Sequence, residues 1–539
     1  MPRMRRLLVL LTLVLVVAGC TSGPPGPTGS GDAVTLRVLA GSELADMAPV
    51  LDDAARATGV TVKLDFVGTL DGAEQVTSGA AAAGHDAIWF SSNRYLALQP
   101  GAQTRIGTAT EIMSSPVVLG LRRSVAQRLG WVGRPVTWAE IAAAAGRKEF
   151  AYGMTDPSAS NSGFSTVVAV STALAGSGAA LTVDQAASTA PELRNFFSAQ
   201  ALSAGSSGWL QDAFVRRATG ADPGPPVDGL LNYESVLLQL NRSGRLPEPL
   251  EIVRPADGVV TAEYPFTVLT GASEPTRDAV RRLTDYLRTP DVQRTIMEKT
   301  WRRPAVPGVA VAPELGPASV ELPFPTRADV VDTLLTSWFD KVRRPSRTIY
   351  VLDVSGSMAS DDRIGRLRAS LTGLTGGDPG AAAKYRRFRG REEVTLLPFS
   401  DRPGTPDTVT VPQDDPTPGL TRIAADAADL RPGGQTAIYD ALDRAYQIAA
   451  QQIAADPDRF TSIVLMTDGA SNTGRDLADF TAAQGSRDAA LKGIPIFPIL
   501  FADSDTDEME QLAGLTGGRT FDARTLPLPQ VFQEIRGYV

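Results

Sequence analysis

The chain has 539 residues, 43% of them apolar and 21% charged, with a formal net charge of −8. That length exceeds one ordinary hydrophobic core and sets an expectation of about three compact units, at roughly 100–200 residues each. An acidic balance without a basic stripe or interleaved aromatic and basic residues speaks against nucleic acid as a partner.

The first twenty residues stand apart. Arg3, Arg5 and Arg6 precede an apolar run from Leu7 to Val17, and Ala18, Gly19 and Cys20 follow. The run is shorter than the roughly 20 residues that span a bilayer, and its charged, apolar, small-residue order is that of a secretory signal. Val17-Ala18-Gly19-Cys20 also resembles the lipobox of bacterial lipoproteins. That resemblance implies a signal peptide over 1–19, cleavage before Cys20, and acylation of the thiol and the new amino terminus, hence a location on the extracytoplasmic face of the cell membrane. Several acyl chains, at about 0.8 kcal/mol per buried methylene, make a durable anchor. Cleavage removes three arginines and takes the formal charge from −8 to −11. Cys20 is the only cysteine, so no intrachain disulfide can form. Residues 20–33, rich in Gly, Pro and Ser, read as a flexible tether.

From 34 to 325, short β-rich runs alternate with helical spacing. VTLRVLAGS, VTVKLDFVG, DAIWFSS, PVVLGLR, FAYGMTD and YPFTVLT read as strands, and residues 44–57, 138–146, 163–175 and 275–300 as helices. The pattern is α/β, without a phosphate-binding loop motif or a dinucleotide fingerprint. LRVLAGSEL, DAIWFSS, MSSPVVLGL, MTDPSASNSGFSTVV and LLNYESVLLQLN resemble bacterial extracellular solute-binding proteins. The resemblance implies a two-lobed periplasmic-binding-protein-like domain with a cleft for a small solute or oxyanion. Free backbone N–H groups at strand-to-helix junctions would suit an anion. The candidate contacts are Ser42, Ser91, Ser115, Ser160, Asn161, Ser162 and Tyr233, with helix capping as the alternative role for each serine. His85 lacks a second histidine or a nearby cysteine to complete a site. Trp89, Trp131 and Trp138 read as lobe-core residues in preference to platforms for a sugar.

The Pro- and Gly-rich stretch 302–326 marks a boundary, and 326–346 reads as a linker containing a helix. From 347 to 539 the expected order is strand (348–353), helix (360–374), strand (393–399), a Pro-rich excursion, helix (437–452), strand (461–467), helix (475–490), strand (494–501) and terminal helices. Such alternation builds a doubly wound, mainly parallel Rossmann-like sheet, with ligands at the carboxyl ends of its strands. In TIYVLDVSGSM, Asp353, Ser355 and Ser357 recur every second residue after an apolar run, so their oxygens point one way. Thr436 lies in the GGQTA loop before a helix, and Asp468 ends the run SIVLMTDG. Oxygen donors of this kind suit a hard divalent cation, and a site with few carboxylates leaves a coordination position open. These five residues resemble the metal-ion-dependent adhesion site of the von Willebrand factor A (VWA) domain. The resemblance implies that the Ser355, Ser357 and Thr436 hydroxyls bind the ion directly, while Asp353 and Asp468 act largely through water. Mg²⁺ is the expected ion, with Mn²⁺ or Ca²⁺ as alternatives, and a protein partner would supply a carboxylate to the open position.

The basic insertion at 375–391 reads as a solvated loop, with an anionic partner as the alternative. No apolar tail precedes Val539, so anchoring is expected at the amino terminus alone. Together these readings point to a membrane-anchored lipoprotein that engages a partner through a metal ion, with the substrate-binding component of an ABC-type transport system as the alternative. A remote single histidine and a lipidated lone cysteine argue against an enzyme.

Overall fold

Along Val34–Ala40, Leu36, Val38 and Ala40 enter one core, while on the opposite face Thr35 and Arg37 meet solvent and Leu39 enters a second core. In the computed structural model, which describes residues 34–377, 387–501, 505–524 and 528–536, this is β1. It is followed by β2 (Val60–Phe66), β3 (Ala87–Trp89), β4 (Ile106–Glu111), β5 (Met113–Arg122), β6 (Tyr152–Thr155), β7 (Gln200–Ala204), β8 (Gly229–Tyr233), β9 (Leu250–Val253), β10 (Thr261–Ala262), β11 (Pro265–Leu269) and β12 (Arg303–Pro304). The signal peptide, Cys20 and the tether lie outside the described residues. Among those described, no helix is long and apolar enough to cross a membrane.

Two sheets result. The first has the order β2-β1-β3-β11-β4, and the second β10-β5-β8-β6-β7, with β9 and β12 also on β5. The chain passes between them at Ile112, again between β10 and β11, and a third time at Arg303, where β12 returns to β5, so three crossings join two lobes. All six expected strands are present, as is the helix Trp138–Gly146, closed by a reciprocal Thr137–Glu140 capping box. The helix expected over 275–300 is two, Glu274–Leu287 and Pro290–Thr300. Pro290 opens the second because its fixed φ and missing N–H suit a first turn and not an interior.

The lobes are closed on each other. A Cβ on Gly68 of the first lobe would lie 2.4 Å from the carbonyl oxygen of Ala159 in the second. Gly68→Ala is therefore expected to cost about 1–3 kcal/mol, read as a lowered midpoint in urea.

Residues 326–346, although read as a linker, form the helix Ala328–Ser337 and a wider turn, Trp338–Val342. Val330, Val331, Leu334, Leu335, Trp338 and Phe339 insert into the second lobe's core beside Phe196 and Phe197, with Trp338 edge-on to Phe197 at 4.3 Å. The segment is a wedge of that core.

The third sheet follows, with β13 (Ser346–Asp353), β14 (Glu393–Phe399), β15 (Asp407–Thr410), β16 (Phe460–Thr467), β17 (Ile496–Leu500) and β18 (Phe521–Asp522), in the order β15-β14-β13-β16-β17-β18. Only β15 is antiparallel. Period two divides β13 between two cores. Tyr350 and Leu352 pack with helices Arg363–Thr372, Thr417–Ala428 and Leu528–Arg536, and Ile349 and Val351 with Ile438–Ala455 and Thr506–Thr516. The doubly wound expectation holds, and the Pro-rich excursion supplies the edge strand β15 and a helix.

Of the basic insertion, residues 378–386 lie outside the described set. The part that is described is not a solvated loop: Phe388 is buried and Arg389 forms a two-pronged ion pair with Asp340 at 2.9 and 3.0 Å. These basic residues fasten the third sheet to the wedge.

Candidate metal centre and binding cleft

β13 and β16 are parallel neighbours, so their carboxyl ends bring Asp353 and Asp468 to the same edge. Asp353 is completely buried; its Oδ1 accepts from the Ser355 N–H at 2.8 Å and its Oδ2 from the Thr467 hydroxyl at 2.7 Å. Ser355 Oγ lies 3.0 Å from Ser357 Oγ, and Ser357 donates to Asp468 Oδ1 at 2.8 Å. Four of the five residues expected at the site are thus joined in one chain of hydrogen bonds.

Thr436 comes from a separate loop held alongside. Gly433 N–H donates to the Val354 carbonyl at 2.7 Å, and Gly356 N–H to the Gly434 carbonyl at 3.0 Å. Gly434 has φ +86°, and a Cβ there would sit 2.7 Å from the Asp401 carboxylate, so glycine is required twice over. Asp401 accepts from Gln435 N–H and Asn472 from Thr436 N–H, both at 2.8 Å. Thr436 is buried; its backbone position is fixed by these bonds. Thr467, Asp401 and Asn472 are the positioning residues that sequence reasoning missed; only Thr467, adjacent to Asp468 in SIVLMTDG, carried a usable signal.

Electrostatically the site is short of positive charge. Burial raises the Asp353 pKa, and the neighbouring Asp468 carboxylate pushes it further the same way. Among the described residues the cation in contact is Arg363, whose Nη1 sits 2.7 Å from Asp468 Oδ2. Gly356 and Ser357 are exposed, so the cluster opens to solvent on that side. Two carboxylates and aligned hydroxyls, without nitrogen or sulfur, fit a hard oxygen-seeking cation. Among the described residues no three His, Cys, Asp or Glu side chains group around a metal position, as expected where hydroxyls supply most of the donors.

The cleft candidates are also assembled, though not as helix caps. Tyr233 OH donates across the lobes to Ser91 Oγ at 2.8 Å, and Asn161 Nδ2 donates to Tyr233 OH at 3.2 Å. Ser162 Oγ lies 3.3 Å from Ser160 Oγ and 2.9 Å from Ser207 Oγ. Ser160 precedes the helix Asn161–Ala175 without a side-chain capping bond. Ser115 is removed from this network and accepts from Ser235 N–H at 3.0 Å, while Ser42 is half-buried at the start of a short helix. His85 pairs with Asp65 at 3.0 Å as a local strut. Trp89, Trp131 and Trp138 are core residues; the indoles of Trp89 and Trp138 donate to the Tyr264 and Gly258 carbonyls.

The chain thus joins a closed, two-lobed α/β unit with buried hydroxyls between its lobes to a doubly wound sheet bearing an oxygen-donor cluster at its strand ends. Residues 36–302 match the bacterial extracellular solute-binding protein family and residues 348–470 the von Willebrand factor type A domain; the chain carries one domain of each. It is similar to the periplasmic binding protein AfuA from Actinobacillus pleuropneumoniae, solved with fructose-6-phosphate, at 11% identity and TM-score 0.42, covering 57% of this chain and 98% of that one. It is also similar to iron-bound HitA from Pseudomonas aeruginosa at 14% identity and TM-score 0.42, covering 56% and 98%. A periplasmic thiamin-binding protein gives 13% identity and TM-score 0.44, covering 60% and 98%. No curated protein matches the chain.

Proposed function

We propose that this is an extracytoplasmic lipoprotein, anchored through Cys20, whose VWA domain binds a divalent cation and uses it to hold a protein partner. The solute-binding domain, over 34–325, recognises a small ligand, and the VWA domain occupies 347–539. The observation that carries the reading is the convergence of Asp353, Ser355, Ser357 and Asp468 at one sheet edge, with the Thr436 loop tied beside them. Mg²⁺ fits the donor set, held by Ser355, Ser357 and Thr436 with Asp353 and Asp468 behind them. The ion would supply a position for a carboxylate from the partner. The site's role in this reading is capture of that carboxylate.

The test is calorimetric titration of the purified protein with Mg²⁺, Mn²⁺ and Ca²⁺, then with a carboxylate-bearing peptide. Saturable metal binding and peptide binding that EDTA abolishes are expected; absence of metal binding would falsify the reading. Arg363 supplies a second check. Its guanidinium balances Asp468 and competes with the cation, so Arg363→Gln is expected to tighten Mg²⁺ binding by roughly twofold to fivefold, the scale of a partly exposed ion pair.

A further inference from the structure

A cavity of about 500 Å³ lies where the second lobe meets the third sheet, a volume that suits a small organic molecule. One wall is made by Leu202 of β7 and by Pro225, in the loop after the helix Ser207–Ala218; the other by Phe460, at the amino end of β16, and Phe497 of β17. The cavity therefore sits at the end of β16 opposite to Asp468, and none of its lining residues belongs to the hydroxyl network between the lobes.

The lining is mostly apolar, yet it carries three arginines and, among the described residues, no carboxylate. Two of the arginines are engaged elsewhere. Arg217 grips Asp222 at 3.0 Å and donates to the Pro225 carbonyl at 2.7 Å, which holds the 222–226 loop in place as a wall. Arg459 pairs with Asp456 at 2.7 Å and donates to the Arg391 carbonyl. Arg344 differs. Its guanidinium lies over the Phe460 ring, 4.6 Å from the centroid, and its Nε donates to the Asp458 carbonyl at 3.3 Å. Among the described residues no carboxylate forms an ion pair with it, and its two terminal nitrogens have no hydrogen-bond partner. Burial lowers its pKa, and Asp458 and Asp456 offset this only through space. A guanidinium fork matches a carboxylate, and a partly desolvated charge without a partner is relieved by an anion. The apolar walls offer burial to a hydrocarbon body beside it.

We propose that this inter-domain cavity binds a small monocarboxylate with an apolar body, its carboxylate on Arg344 and its body between Leu202, Pro225, Phe460 and Phe497. Such a ligand touches both halves of the chain and ties them together, at a place separate from the metal edge and from the cleft between the lobes. An inorganic anion has no body to bury there, and an alcohol has no charge to offer Arg344.

The experiment uses the purified full-length protein with EDTA present, so that a carboxylate held by a metal beside Asp353 is excluded, and reads thermal shift and calorimetry. The probes are octanoate, phenylacetate, phenethyl alcohol and inorganic phosphate. At least one carboxylate is expected to bind saturably and raise the melting midpoint, with the alcohol and phosphate weaker by about tenfold or more, and the better of the two carboxylates tells an alkyl body from an aryl one. Arg344→Gln is expected to weaken that carboxylate by about tenfold or more, the scale of a hydrogen bond between charged partners; Arg344→Lys, which keeps the charge without the fork, weakens it less. Hydrogen exchange on the wild type locates the site without a variant, with protection by the carboxylate expected over 201–203 and 459–462. Failure of the wild type to bind either carboxylate, equal binding of the alcohol, binding that Arg344→Gln leaves unchanged, or protection confined to other segments overturns the inference.

Discussion

Asp353→Ala is expected to abolish saturable Mg²⁺ binding, with affinity falling on the order of 100-fold or more. Asp353 lies fully buried behind the hydroxyl pair, receiving the Ser355 N–H and the Thr467 hydroxyl. Its removal strips one of two negative charges from the cluster and releases the turn that aims Ser355 and Ser357. Calorimetry measures the loss directly, and thermal melts give an independent readout. A ligand at about 100 times its Kd adds about 2.7 kcal/mol to the folded state, so the wild-type midpoint rises with Mg²⁺ while that of the variant stays flat. Without metal the variant need not be less stable, because the substitution also removes a desolvated carboxylate that Asp468 repels. Undiminished Mg²⁺ binding by the variant would place the metal elsewhere.

Glu392→Ala is expected to cost about 3–5 kcal/mol of stability, the scale for stripping one partner from a buried ionic cluster. Glu392 is held between Arg343, at the end of the wedge, and Arg536 of the last helix, whose nitrogens lie 2.7 and 3.1 Å from its oxygens. All three side chains are largely out of solvent, so the alanine variant leaves two arginines facing each other without the carboxylate between them. Burial alone would raise the Glu392 pKa, but Arg536 and Arg343 more than offset it and hold the group below its ordinary value. The sign follows from that direction. A depressed carboxylate contributes stability in full above the unfolded value of about 4.3, and the contribution is lost as pH falls through the folded pKa. Urea unfolding at pH 7 and at successively lower pH should show wild type losing stability in acid more steeply than the variant. Parallel slopes would mean that Glu392 is not the acid-sensitive clamp.

The sheet of the VWA domain was legible because its strands are buried on both faces and read as continuous apolar runs, such as TIYVLD and SIVLMT. β15 escaped notice because DTVT is a four-residue edge strand inside a Pro-rich stretch, where local turn chemistry masks pairing decided by β14. At the candidate metal site, residue type and period two placed Asp353, Ser355 and Ser357, since neighbours along one strand share a direction. Asp401 and Asn472 had no such signal; they act through backbone N–H groups more than 30 positions away, a relation set by loop packing. The cleft was half legible. Its serines were found, but Ser207, 2.9 Å from Ser162, was not. The packing of 328–342 was not legible either: Pro and Gly before residue 327 signal a break in secondary structure, whereas packing against the second lobe continues to Val342.

The wedge at 328–342 bears on how separable the two halves are. A fragment ending at Arg302, where the family match stops, would open a greasy socket around Phe196 and Phe197, and one beginning at 347 would discard the Arg343 end of the ionic clamp. The chain is less a pair of beads on a string than a mortise joint. A pull on the third sheet would load the second lobe's core.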